Sequence, residues 1–164
     1  LDVPDTISRG RDEWRAAFEL AFEDDVTVAF ATNNELLARL ETRDAFAPLE
    51  SAFTPDHIVY AGTRPLYAAG GSRDSAAGLR TLIADYIAEN GREPRVVAVP
   101  GVGAFGIERS ERAAELAVSL FLDEVKIAAY ADSFGGYRHL DPHLVEFIES
   151  WEVARYRKKQ STGA

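Results

Sequence analysis

Cysteine and methionine are both absent from the 164 residues of this chain. Without cysteine there is no disulfide scaffold, and no metal site or nucleophile that depends on a thiolate. No stretch of about 18 consecutive apolar residues occurs, so we expect no membrane-spanning helix. Histidine is scarce, since the sequence has only 3. A zinc site made of histidines would therefore need His57, His139 and His143 to converge.

Basic residues are outnumbered, with 18 Lys and Arg against 27 Asp and Glu, and the net charge is −9. This balance argues against a nucleic-acid binder and against a protein that binds anionic membranes. A basic cluster ends the last predicted helix. We interpret it as stabilising, because positive charge is favourable at a helix C-terminus. The alternative is a patch that binds phosphate or nucleic acid. The cluster consists of Arg155, Arg157, Lys158 and Lys159.

The chain has enough apolar residues for a core, because 46% of its residues are hydrophobic and 10% are aromatic. This composition excludes intrinsic disorder. The length fits one domain, and we predict a single α/β domain over 1–160 with a short tail at 161–164. Hydrophobic patterns predict strands at Val26–Phe30, His57–Ala61, Arg95–Val99 and Ala104–Ile107, with a short partner strand at Leu66–Ala69.

Helical periodicity lies between these strands, which indicates one sheet with helices on both faces, an α/β sandwich. Polar residues with short side chains precede several of the helical stretches and are typical of N-caps. The predicted N-caps include Ser8, Asn33, Ser110 and Asp141.

A glycine-rich segment, GVGAFG at 101–106, follows the third predicted strand and matches the G-x-G-x-x-G fingerprint of dinucleotide-binding folds. In such folds the helix begins inside the motif, whereas here the predicted cap, Ser110, lies four residues after Gly106. Phe105 and Ile107 fit a returning strand better than a helix start. We therefore predict a glycine turn between two strands, with binding of a nicotinamide or flavin nucleotide as the alternative.

Polar residues flank the predicted strand His57–Ala61, with Asp56 and His57 at its start and Arg64 after its end. Such a group can bind an anion or a sugar phosphate, because arginine donates two parallel hydrogen bonds to phosphate. We predict a cleft lined by His57 and Arg64, with Asp56 as a third substrate-binding residue. In the alternative, Asp56 caps the loop, His57 lies at the edge of the core, and Arg64 forms an ion pair.

Glu124 interrupts the apolar stripe of a long predicted helix. A carboxyl group in such a position must be paired, protonated or directed into a cleft, so a structural ion pair and a cleft acid or base both remain open. His139 and His143 flank the predicted helix start at 141–142. They do not share a helix face, so we expect no zinc-binding pair there.

Two stretches carry a family resemblance. TPDHIVYAGTRPL at 54–66 combines a P-D-H entry with a basic-x-x-P-L turn, and 94–156 contains VPGVGAFG, a long helix and an acidic helix with a tryptophan. Together they resemble the second half of the aldolase region in the class II aldolase/adducin family. They are most similar to long bacterial proteins that join a rhamnulose-phosphate-aldolase-like region to a short-chain dehydrogenase. The matching positions are Asp56, His57, Arg64, Pro65, Gly101, Gly103, Gly106 and Trp151.

The resemblance implies a three-layer α/β/α sandwich and a cytoplasmic role in carbohydrate metabolism. Family members are lyases that cleave ketose phosphates to dihydroxyacetone phosphate and an aldehyde, with a divalent metal, usually zinc, polarising the carbonyl. The resemblance places the metal ligands, including an H-x-H pair, in a preceding domain. The sequence here has no H-x-H, so we expect no metal or other cofactor in this chain.

The expected partners are that preceding metal-bearing aldolase domain and a sugar phosphate, and a homo-oligomer is left open. The chain would then be the C-terminal domain of a longer aldolase-like protein. It would shape the substrate pocket or the subunit interface. The alternative is a non-catalytic interaction or assembly module with an aldolase/adducin fold.

Overall fold

The computed structural model describes residues 4–22, 25–69 and 76–161. The strands are β1 (Thr27–Ala31), β2 (Leu66–Tyr67), β3 (Val96–Val99) and β4 (Gly103–Glu108). The α-helices are α1 (Asp5–Ala21), α2 (Asn34–Leu40), α3 (Arg43–Phe46), α4 (Ala76–Asn90), α5 (Glu111–Ser133) and α6 (Pro142–Ser161). A 3-10 helix spans Ala47–Leu49 and a π-helical turn spans His57–Ala61.

Within these ranges no helix is both long and apolar enough to cross a membrane. The predicted basic cluster at Arg155, Arg157, Lys158 and Lys159 lies outside the residues whose side chains are described. The predicted tail likewise lies outside the described residues from position 162 onward.

The predicted helix caps at Asn33 and Ser110 are confirmed. The Asn33 side chain accepts a hydrogen bond from the amide of Leu36 (2.7 Å), and the Ser110 hydroxyl accepts one from the amide of Ala113 (3.3 Å). The prediction that Ser8 caps the first helix is wrong, because α1 begins at Asp5, directly after Pro4. An acidic residue in the first turn favours this earlier start, since it complements the positive end of the helix dipole.

The four strands form one sheet in the order β1-β4-β3-β2. The β1/β4 and β3/β4 pairs are antiparallel, and the β2/β3 pair is parallel. The predicted strands near Val26–Phe30, Arg95–Val99 and Ala104–Ile107 are confirmed within a few residues. The central strand β3 is buried at every position, as expected for a strand covered on both faces.

The prediction of a strand at His57–Ala61 is wrong. This segment forms a π-helical turn that packs on α5, and β2 supplies the fourth strand instead. The turn begins after Pro55, where the hydroxyl of Thr54 accepts a hydrogen bond from the amide of His57 (3.4 Å). His57, Ile58 and Ala61 are buried while Tyr60 is exposed, which is a helical rather than an alternating pattern.

The core consists of two main clusters that lie on opposite faces of the sheet. Val97 and Val99 belong to a cluster with side chains of α1 and α4, whereas Val96 and Ala98 belong to a cluster with side chains of α2 and α5. Successive residues of a strand point to opposite faces, so the two clusters lie on opposite sides of β3, and the fold is of the mixed α/β class that the sequence predicts.

The glycine segment is a turn that links β3 to β4. Gly101 adopts a φ of 73° in the turn, and Gly103 and Gly106 lie in β4. The next helix, α5, begins only at Glu111. The predicted strand–turn–strand arrangement is thus confirmed, and it differs from a dinucleotide-binding turn, in which the motif runs directly into a helix.

Candidate functional site

The most unusual polar feature of the described residues is a buried pair formed by His57 and Glu124. Nδ1 of His57 lies 3.4 Å from Oε1 of Glu124. The two residues are only 3% and 2% exposed, so solvent reaches neither of them. His57 is placed by the π-helical turn, and Glu124 lies on the face of α5 that the turn covers.

The burial of this pair opposes charge on both partners. Burial raises the pKa of Glu124 well above its ordinary value. Burial also lowers the pKa of His57, an effect that the negative charges of Asp123 and Asp56 partly offset. Each shift follows from the cost of holding an ion in a medium of low dielectric constant.

Within the described part of the chain, neither Nδ1 of His57 nor Oε1 of Glu124 has a hydrogen-bond partner of good geometry. The two atoms are close enough to share one proton but are not aligned to do so in this structure. Glu124 therefore has a histidine as its neighbour, not the arginine or lysine of an ordinary ion pair.

The pair is closed to a substrate in this conformation. His57 is packed below the surface, while Asp56 is exposed on the outer side of the same turn. The sequence identified each of the three as unusual, but it did not predict that His57 and Glu124 meet, because they are far apart in the chain.

Arg64 occupies a different environment, at the entry to β2. Its side chain is exposed, and within the described residues it forms no ion pair. Its backbone carbonyl accepts a hydrogen bond from the hydroxyl of Tyr86 (2.5 Å). Arg64 is thus exposed at the surface, whereas His57 is buried, and a cleft lined by both residues stays a prediction.

Positive charge concentrates around the Tyr86 hydroxyl. Burial raises the pKa of Tyr86 to about 12, and Arg92, Arg64 and Arg95 act in the opposite direction. Arg92 is bonded to Glu149, and Arg95 pairs with Glu108 (3.2 Å). Of these arginines, Arg64 is the one with a solvent-facing guanidinium that no acid of the described residues neutralises, so it is the group best placed to meet an anion.

A polar contact that the sequence did not indicate ties α6 to the turn before β2. The hydroxyl of Thr63 and the guanidinium of Arg92 both donate to Oε1 of Glu149. These residues come from a turn, the segment after α4, and α6. No spacing rule connects such distant positions, so only the fold could reveal the contact. It fixes the backbone from which Arg64 projects.

The three histidines occupy three separate places. His57 lies beside Glu124, whereas Nε2 of His139 is 2.8 Å from the carbonyl oxygen of Pro48 and its ring packs on Phe53. His143 is exposed in the first turn of α6, where its amide donates to Asp141 (2.8 Å). Among the described residues no three His, Cys, Asp or Glu side chains could hold a metal ion, so the side chains present do not fit the zinc of the resembling enzymes.

The described surface has clefts away from the buried pair. A cleft of about 520 Å³ runs along β1 between α1 and α5, and one of about 360 Å³ lies near the start of α5. The first is lined by charged residues of both helices and by the strand itself. Neither cleft includes His57 or Arg64 among its lining residues.

The glycine turn leads to a prediction for nucleotide binding. Because the segment 101–106 runs from a turn into β4, the backbone amides of β4 serve the sheet and are not gathered at a helix start to bind a pyrophosphate. We expect calorimetric titration with NAD or FAD to give no saturable binding in the micromolar range. A micromolar isotherm that Gly103→Val abolishes would restore the dinucleotide-binding interpretation.

Comparison with known protein families identifies the family of this chain. A family model described as the second domain of class II aldolase matches residues 11–157. No curated protein matches the chain. The matched range contains β1 to β4, the buried His57–Glu124 pair and Arg64.

Proposed function

This chain belongs to the class II aldolase family as a domain of the second-domain type, and we propose that it supports the metal-dependent cleavage of a sugar phosphate in cytoplasmic carbohydrate metabolism. In this proposal the chemistry takes place on a preceding, metal-bearing aldolase domain. The chain described here completes the substrate pocket beside that domain. The match over residues 11–157 is the observation that carries the proposal.

In this proposal the fold is the three-layer α/β/α sandwich that membership of the family implies. The two core clusters support this arrangement, because Val96 and Val97 on the same strand belong to different clusters with different helices. The layers matter for the function proposed here. They place the turn after the π-helix, and with it Arg64, at the surface where another domain can meet it.

Metal chemistry is assigned to the other domain on the basis of the donor groups in this one. His139 is committed to the carbonyl of Pro48, and His57 is buried against Glu124. We therefore derive no catalytic step from the side chains of this chain. Its contribution is binding and positioning, which in a lyase raises the fraction of bound substrate held in the reactive geometry.

Arg64 is the residue that we propose contacts the phosphate. Its guanidinium is exposed and always charged, and it can donate two parallel hydrogen bonds to a phosphate group. Its backbone is fixed through the Tyr86 hydroxyl. Asp56 and His57 keep a supporting role: Asp56 is exposed at the neighbouring turn, and His57 anchors that turn to α5.

The test is Arg64→Ala in a protein that carries this chain beside a metal-bearing aldolase domain, with release of dihydroxyacetone phosphate from a ketose phosphate as the readout. Loss of a charged hydrogen bond costs about 1.5–3 kcal/mol, so we expect KM to rise about 10- to 150-fold. Because Arg64 is exposed and without an ion pair among the described residues, the free energy of unfolding should stay within about 0.5 kcal/mol of the wild type.

The matched control is Arg138→Ala, which removes another exposed arginine and should leave KM unchanged. If the wild type releases product and Arg64→Ala has the same KM, the assignment of Arg64 is wrong and the phosphate binds at another part of the pocket. A protein with its metal-bearing domain that cleaves no sugar phosphate would contradict the aldolase proposal itself.

An interaction module is the second candidate function, and exposed apolar side chains favour it. Leu144 and Phe147 of α6 are 43% and 65% exposed, and Phe134 at the end of α5 is 85% exposed. Leu144 and Phe147 are three residues apart and share one helix face. Large apolar side chains gathered in this way mark surfaces that other proteins cover. This candidate is the one favoured if the cleavage assay gives no product.

A further inference from the structure

Strand β1 lies at one edge of the sheet, with β4 on its inner side and no described strand on its outer side. Proteins commonly protect such edges with proline, lysine, a bulge or a covering segment, because an open edge pairs with other chains. The sequence of β1, TVAFA, contains no charged residue, no proline and no glycine. Its edge is therefore suited to accept another strand.

The register shows which backbone groups face outward. The amide of Ile107 donates to the carbonyl of Arg95 (2.8 Å), so odd-numbered residues of β4 bond toward β3. Even-numbered residues of β4 then bond toward β1, where their partners are Thr27, Ala29 and Ala31. In an antiparallel pair the alternate residues point their N–H and C=O groups away. On β1 these are Val28 and Phe30, whose outward groups have no partner within the described residues.

The cleft of about 520 Å³ follows this edge. Its floor is the strand, and its two walls are α1 and α5. On the α1 side the strand presents Val28 and Phe30, which pack against the cluster of α1 and α4. On the α5 side it presents the small residues Ala29 and Ala31. An added strand would find apolar surface on one face and open space on the other.

The wall on the α5 side is acidic. Glu111 and Glu115 line the cleft and are exposed, and neither has an ion-pair partner within the described residues. On the α1 side, the cleft is lined by Glu19 and Arg15, whose opposite charges offset each other. A bound strand would therefore place apolar side chains toward α1 and basic side chains toward α5.

We propose that this cleft binds an extended polypeptide segment of a partner protein by addition of a strand to β1, with Lys or Arg alternating with apolar residues. The backbone of the segment pairs with the outward groups of Val28 and Phe30, which supplies affinity. The basic side chains meet Glu111 and Glu115, which supplies specificity. A second copy of this chain is a poorer occupant, because pairing β1 with β1 would bring the acidic walls of two copies together.

The experiment uses a short acetylated, amidated and fluorescently labelled peptide in which lysine and valine alternate, with binding followed by anisotropy. A peptide with glutamate in place of lysine is the control ligand. We expect the lysine peptide to bind and the glutamate peptide to bind at least about tenfold more weakly. Hydrogen exchange at the amides of Val28 and Phe30 should slow when the lysine peptide is bound.

Two variants test the two halves of the proposal. Val28→Pro removes an outward N–H that β4 does not use and should abolish peptide binding. Glu111→Lys with Glu115→Lys should weaken the lysine peptide about tenfold or more and strengthen the glutamate peptide. Glu35→Lys, an exposed change on α2 away from the cleft, is the matched charge control and should change neither affinity. Circular dichroism checks that each variant folds. If Val28→Pro does not fold, the double variant Glu111→Lys with Glu115→Lys provides the test.

Equal binding of the two peptides, or binding that survives in every variant, would overturn the proposal. Absence of binding by the wild type would do the same. Sedimentation equilibrium decides the remaining outcome. A dimer that Val28→Pro dissociates would show that a second copy, not a basic partner segment, occupies the edge.

Discussion

Gly106→Ala is expected to destabilise the protein by about 3 kcal/mol, at the upper end of what overpacking usually costs. A Cβ built at this position overlaps the carbonyl oxygen of Ala114 and lies 3.0 Å from its carbonyl carbon and 3.2 Å from the backbone nitrogen of Val118. These neighbours are backbone atoms of α5, which do not move aside as a side chain does. The helix and strand β4 must therefore separate, and the core between them loosens.

The measurement is thermal denaturation of the variant and the wild type, followed by circular dichroism, with urea titration for the free energy of unfolding. For a domain of this size, 3 kcal/mol corresponds to a fall in Tm of roughly 6–12 °C. Gly101→Ala is the control, because Gly101 has a φ of 73° but no atom within 4 Å of a built Cβ. It should cost only about 1 kcal/mol of backbone strain. If the two variants cost the same, close packing of α5 on β4 is not the reason for a glycine at 106.

The sheet could be predicted where the sequence pattern has one interpretation. The segment at 95–99 is almost wholly apolar and became the buried strand β3, because only a strand covered on both faces tolerates such a run. The glycine segment could also be predicted as a turn between strands, since its cap at Ser110 comes too late for a dinucleotide-binding helix. In both cases local chemistry and the fold agree.

The π-helical turn could not be predicted in the same way. His57–Ala61 contains isoleucine, valine and tyrosine, which are typical of strands. Its helical form depends on α5, against which the turn packs, and that helix lies far along the chain. Propensity is a weak guide when a distant element decides which residues are buried. The position of β1 at a sheet edge could not be predicted either, because local sequence patterns do not determine the order of strands in a sheet.

The candidate site was predicted in its parts but not in its arrangement. Glu124 could be identified because a carboxylate interrupts an apolar helix face, and His57 because it stands in a polar cluster. Their contact at 3.4 Å depends on the same packing of the turn on α5. The sequence could not show that the Tyr86 hydroxyl donates to the backbone carbonyl of Arg64 (2.5 Å), because the two residues lie on different elements.

Glu124→Gln is expected to change how stability depends on pH. Burial raises the pKa of Glu124 in the folded protein well above its ordinary value of 4.5. At a pH between the ordinary pKa and the folded pKa, the folded state therefore holds a proton that the unfolded state has released. The free energy of unfolding should then fall as pH rises, by up to about 1.4 kcal/mol per pH unit. This contribution is fully present below pH 4.5 and is lost as the pH rises through the folded pKa.

Glutamine resembles the protonated carboxyl group in shape and charge, so the variant should lack this decline. We expect the two proteins to have similar stability near pH 4.5. At higher pH the variant should be the more stable one, by a margin that grows until the pH reaches the folded pKa of Glu124. His57 acts in the opposite sense: burial lowers its pKa below 6.5, so its contribution is present above pH 6.5 and is lost as the pH falls below that value. His57 faces a neutral side chain in both proteins as long as Glu124 is protonated, so below the folded pKa of Glu124 this contribution cancels in their difference.

The measurement is the free energy of unfolding from urea titrations at intervals between pH 4.5 and 8. Glu115→Gln is the matched control, because Glu115 is an exposed carboxylate on the same helix, and it should leave the slope unchanged. Parallel pH profiles for the wild type and Glu124→Gln would contradict the prediction. An ion pair between an ionised Glu124 and a protonated His57, 3.4 Å away, would instead raise the pKa of His57, so that the stability of the wild type would decline relative to the variant only above pH 6.5. The difference between the profiles thus reports which atom of the buried pair holds the proton.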